Sequence, residues 1–187
     1  MSFIFNNLAT AENFVKESLR ERSFIVSTAE RIIVDRNRYG SPIFHSRIKT
    51  EEGYFQVKYQ KSEHMPLADH EIRSAHKENE RLKYAIRSFG KGNDTDIGIN
   101  ENVLFDLINV EEKSGLPTFL LNAVGESKVY SQESKIYWCR AREFYEFSMC
   151  WGTVIFNSSA YGGTVYLVPT GWMKLWSNPI SAPPSLM

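Results

Sequence analysis

Between Gly53 and Gln60 apolar and polar side chains alternate: Phe55, Val57 and Tyr59 against Gln56, Lys58 and Gln60. Successive side chains of a strand point to opposite faces, so this run reads as a strand with one packing face and one polar face. The polar face sets the neutral oxygen of Gln56 two residues from the cation of Lys58, a pairing suited to a metal or a phosphate. A half-buried strand with a solvated polar face has the same pattern, so the run specifies structure more firmly than chemistry.

Upstream, Thr10 reads as the N-cap of a helix running to about Arg22, with Ala11, Val15 and Leu19 on one stripe. Two β-prone runs follow, 23–27 and 31–36, the second closing at Asp35 before a turn-rich 37–42; a strand over 43–48 and the charged turn 49–53 lead into the organising strand. The apolar spacing of Ile72, Ala75, Leu82, Ala85, Ile86 and Phe89 predicts a second main helix over 68–89. The nearly continuous apolar runs of 103–110 and 118–124 read as strands buried on both faces, with Asp106 and Asn122 as polar exceptions. A strand is expected over 135–140, helix or strand over 141–151, strands over 153–156 and 164–168, and a short helix capped by Thr170 and ending at Trp176. The fold class is therefore α/β to α+β, a single domain over 1–187 with a mixed sheet and two main helices. Within it, 141–177 is a tryptophan-rich, charge-poor part and 178–187 an irregular tail.

The formal net charge is zero, which argues against strong non-specific attraction to a polyanion. The halves differ, however: residues 1–91 carry 16 Lys and Arg against 12 Asp and Glu, and residues 92–187 carry 6 against 10. A polyanion such as DNA would meet the first half. Three of the four histidines, His64, His70 and His76, lie close together, but His70 and His76 are six positions apart and do not converge from one helix face. Cys139 and Cys150 sit in apolar sequence and read as buried reduced thiols; a disulfide would need an oxidising compartment. The first residues lack the features of a signal peptide, and no apolar run approaches membrane-spanning length, so the expected location is cytoplasmic with no membrane partner. All four tryptophans fall in the last third, where Lys174 is the sole charge from Trp151 onward. Either the rest of the chain covers that surface or a partner does, a homodimer included.

A leading helix carrying Glu12, a strand ending near Asp35, the strand Tyr54–Tyr59 and a long helix together resemble the core of the PD-(D/E)XK restriction-endonuclease-like proteins, in the branch whose signature strand reads Gln-x-Lys. The likeness extends through 116–121 and 136–138 and so covers roughly residues 10–140. It implies a divalent-metal-dependent nuclease acting on DNA phosphodiesters. Asp35 and Gln56 would ligate Mg²⁺, Lys58 would orient the attacking water, and Glu12 would support the site from the helix. The acid common two positions before the lysine is Gln56 here, which removes a negative charge, and no proline precedes Asp35. Those departures sustain the alternative, a non-catalytic binding or assembly module with a degenerate nuclease-like fold and a tryptophan-rich interaction surface.

Overall fold

The structure, a computed structural model, describes residues 4–36, 39–61, 96–126, 133–150, 155–158 and 163–176. The first helix, α1 (Leu8–Glu21), begins one turn earlier than expected. Its cap is Asn7, whose Oδ1 accepts from the Thr10 amide at 2.9 Å, while the Thr10 hydroxyl accepts in return from the Asn7 amide at 3.3 Å. Thr10 is thus the third residue of a capping box and not its start. Ser23 ends the turn after α1 with φ of 68°, a left-handed conformation in which any side chain is strained.

The two β-prone runs after α1 merge into one strand, β1 (Val26–Arg36), which pairs antiparallel with β2 (Pro42–Thr50). The register of β1 slips near each end, between Val26 and Thr28 and between Ile33 and Asp35. Next come β3 (Tyr54–Gln60), as the alternation predicted, then β4 (Asp96–Asn100), β5 (Thr118–Val124) and β6 (Lys135–Arg140). The segment 103–110, expected as a strand, belongs instead to helix α2 (Glu101–Ser114). Val103, Leu104 and Leu107 share one buried face at helical spacing, and Gly115 closes the helix with φ of 73°. Ala141–Cys150 resolves as helix α3, followed by β7 (Ile155–Ser158) and β8 (Gly163–Pro169). Where a helix up to Trp176 was expected, a single 3₁₀ turn (Thr170–Trp172) leads into β9 (Lys174–Leu175). The helix expected over 68–89, with His64, His70 and His76, lies outside the described residues, as do Trp151 and the tail.

The result is one mixed α+β domain with three α-helices among the described residues. A six-stranded sheet has the order β1-β2-β3-β5-β6-β9, with β3 parallel to β5, and a three-stranded sheet has the order β4-β8-β7. The large sheet has a core on each side. On the first, α1 packs Ala11, Val15 and Leu19 against Phe55, Val57, Phe119 and Leu121, joined by Trp138 and Trp176. Phe55 stacks on Phe119 at 5.0 Å between ring centroids and meets Trp176 edge-on. On the second side Leu120, Val124, Tyr137 and Cys139 meet α2, α3 and the small sheet. Trp138 and Trp176 are therefore buried within the domain, the first of the two readings of the tryptophan-rich part. Among the described residues no helix is long and apolar enough to cross a membrane.

Two substitutions test this architecture. Ser23→Gly removes the left-handed strain and should raise stability by about 0.5–1 kcal/mol in urea unfolding. A Cβ on Gly53 would stand 2.6 Å from the Pro117 carbonyl oxygen, which also accepts from the Tyr54 amide. Gly53→Ala should therefore lower stability by about 1–3 kcal/mol in the same assay.

Candidate functional site

On β3, Phe55 and Val57 belong to the α1 core, so Gln56 and Lys58 face the second layer. The β2–β3 register sets Arg47 opposite Gln56, and alternation along β2 puts His45 on the same face. These groups form a chain of contacts in which Gln56, only 1% exposed, uses both ends of its amide. Its Oε1 accepts from Arg47 Nε at 3.0 Å and from Arg47 Nη2 at 2.9 Å, and its Nε2 lies 3.0 Å from His45 Nδ1. Arg47 Nη2 also donates to Asp106 Oδ2 on α2 at 2.5 Å. Lys58 Nζ donates to the Gly98 carbonyl on β4 at 2.6 Å.

The electrostatics follow from burial. His45 is pushed down to about 3, first because it is buried and then because Lys58 and Arg47 repel a third positive charge. The neutral ring then accepts the Gln56 amide proton at Nδ1. Burial also lowers Lys58, to about 8, so the amine stays cationic at neutral pH but releases its proton far more readily than a solvated lysine. Asn122, paired with Lys58 across the parallel β3–β5 register, is fully buried, and neither atom of its amide has a protein partner.

The four residues singled out in the sequence are not gathered at one point. Gln56 and Lys58 share a face, as their spacing requires. Glu12 stands on the opposite side of the sheet, where α1 presents it to Lys16 at 2.6 Å and to Arg31 at 3.0 Å. Burial raises its carboxyl, but the Lys16 and Ser46 hydrogen bonds and the Arg31 charge outweigh that and leave it below the usual range. Asp35 lies near the end of the outermost strand, opposite Ile43. Continuing the register past Ser46–Val57 sets Lys58 opposite His45, which places the Asp35 and Lys58 backbones about 12 Å apart from strand spacing and rise.

A divalent cation held on the Gln56 oxygen does not fit these groups, because that oxygen already accepts two N–H bonds from a guanidinium. No cluster of three or more His, Cys, Asp or Glu suited to a metal occurs among the described residues. What the face offers is cations and amides: Arg47 clamped in plane, Lys58 beneath β4, and the unpartnered Asn122. His45 and Arg47 escaped the sequence reading because their role depends on the hairpin register, although polar residues at every second position of β2 carry that signal. Asp106 and Asn122 stood out in the sequence as polar exceptions. The chain matches no family model, no curated protein and no solved structure.

The depressed His45 value sets an acid limit. Below pH 6.5 an unfolded chain takes up a proton that the native ring refuses until about pH 3, so stability falls as pH drops through that window. His45→Asn should flatten the decline by up to about 1.4 kcal/mol per pH unit, measured by urea unfolding from pH 7 to 4. In the native wild type the His45 ring resonances should not titrate over the same range.

Proposed function

We propose that this chain is a non-cleaving DNA-binding module built on a restriction-endonuclease-like core, in which Arg47 stands in place of the divalent cation that the resemblance implies. The observation that carries this reading is the pair of hydrogen bonds from Arg47 to the Gln56 oxygen at 2.9 and 3.0 Å. A guanidinium fixed in this way holds a permanent positive charge without recruiting a metal, although Asp106 pairs with part of it. The Arg47 side chain is 12% exposed, so it lies at the margin of the buried face. Lys49 lies two positions further along β2 on the same side, and the first half of the chain has the excess of basic residues. The core assignment draws support from the order α1-β1-β2-β3, an antiparallel meander followed later by a strand parallel to β3.

A metal-dependent nuclease is the second reading, favoured by Lys58, which shares the face of Gln56 and is lowered to about 8. That reading requires Arg47 to leave Gln56 before any metal could approach it.

One experiment separates the two. Duplex DNA binding is followed by fluorescence anisotropy, and plasmid cleavage is assayed with Mg²⁺ and with Mn²⁺, for wild type, Arg47→Lys and Lys58→Ala. Arg47→Lys keeps the charge but loses the fork. The expected result is salt-sensitive binding, weakened about tenfold in Arg47→Lys, with no cleavage in either metal. Cleavage by the wild type that disappears in a folded Lys58→Ala protein would overturn the proposal in favour of the nuclease.

A further inference from the structure

Away from the Gln56 face, α2 and α3 present a surface of different chemistry. Along α2, Glu101, Phe105, Ile108 and Glu112 recur at helical spacing, and along α3 Arg142, Tyr145, Glu146 and Met149 do the same. The two stripes meet at one end through Arg142 Nη2 and Glu112 Oε1 at 3.1 Å. They meet again where the Phe105 and Tyr145 rings lie 5.7 Å apart. At the far end, Glu101 Oε1 accepts from the Tyr166 hydroxyl at 3.2 Å, which holds that carboxylate beside the aromatic pair. Phe105 is 37% exposed and Met149 42%, and Glu146 is exposed as well. The outcome is an apolar strip closed by an ion pair at one end and edged by carboxylates at the other. It belongs to the acidic half of the chain, with 6 basic against 10 acidic residues over 92–187.

We propose that this strip docks a cationic amphipathic helix of a partner protein. The distance along α2 from Glu101 to Ile108 is about 10 Å, or two turns, which matches the apolar stripe of a short helix. The partner's apolar side chains lie over Phe105, Ile108, Tyr145 and Met149, where the flexible thioether adapts to their shape. Its lysines or arginines reach Glu101 and Glu146, and the aromatic rings beside Glu101 add a cation–π attraction for an ammonium or guanidinium. The charge pattern selects against an acidic helix and against an anionic lipid surface. This inference stands apart from the DNA-binding reading, since it uses neither Arg47 nor Lys58.

The test uses the full chain with ¹³C-methyl methionine and a 14-residue acetylated amphipathic peptide of leucine and lysine at helical spacing, beside the same peptide with glutamate for lysine. The lysine peptide should move the Met149 methyl resonance saturably and the glutamate peptide should not. Affinity should drop about tenfold in Phe105→Ala, as for a buried aromatic anchor. It should drop as well in Glu146→Lys, a surface change that leaves the fold intact. Either an unmoved Met149 methyl, equal binding of both peptides, or unchanged affinity in Glu146→Lys overturns the proposal. A Met149 shift that depends on protein concentration without peptide also overturns it, by assigning the strip to a second copy of the chain.

Discussion

Everything in this domain depends on β3 being covered on both faces. A strand in that position normally turns apolar side chains to both sides, yet every second residue here is polar. A polar group taken from water costs free energy unless it is hydrogen-bonded, so the second face of β3 must be satisfied from within. Gln56 is satisfied by Arg47 and His45, Arg47 by Asp106, and Lys58 by Gly98. Each contact reaches one element further out, from β3 to β2, then to α2 and β4. The polar face therefore joins the two layers of the domain, where an apolar one would only have filled the space between them.

The same satisfied chain limits the chemistry of the face. An amide whose oxygen holds a guanidinium and whose nitrogen meets a neutral imidazole has spent its hydrogen-bonding capacity on its neighbours. The remaining reactivity sits at the margins, on the part-exposed guanidinium of Arg47, on an ammonium close to its deprotonation point, and on the unpartnered amide of Asn122. Arginine holds its charge across the accessible pH range, whereas His45 stays uncharged well into acid, so the net charge of the face changes little between pH 4 and 7.

Strong alternation and continuous apolar runs made β3, β5 and β6 legible in the sequence, because period alone decides them. The run 103–110 misled because two adjacent apolar residues, Val103 and Leu104, fit a doubly buried strand as well as the buried face of a helix. The spacing of Val103, Leu104 and Leu107 and the boundary residue Gly115 favour the helix. Glu12 entered the sequence analysis only as a residue that the resemblance would have support the site from the helix, and the side of the sheet it occupies is set by how α1 packs, which the local sequence does not encode. Arg47 was the largest omission: its partner is nine residues away across a hairpin, and the register of that hairpin decides whether arginine meets glutamine or valine. The tryptophans illustrate the reverse case. The charge-poor sequence around Trp176 goes with packing against α1, where its indole N–H donates to Ser18 at 2.7 Å.

The pairing of β3 with β5 has a kinetic side. Tyr54 meets Thr118, sixty-four positions further along, whereas β1, β2 and β3 join neighbours through short turns. Closing so long a loop is entropically unfavourable until other contacts offset it. The N-terminal meander therefore has the local contacts to form first. It must then wait, with the edge of β3 unpaired, for the strand that completes the sheet. On a ribosome that interval has a minimum length, since β5 leaves the exit tunnel only after the whole stretch between the two strands has been synthesised. The translation rate of 61–117 thus sets how long an open β3 edge is exposed to other chains.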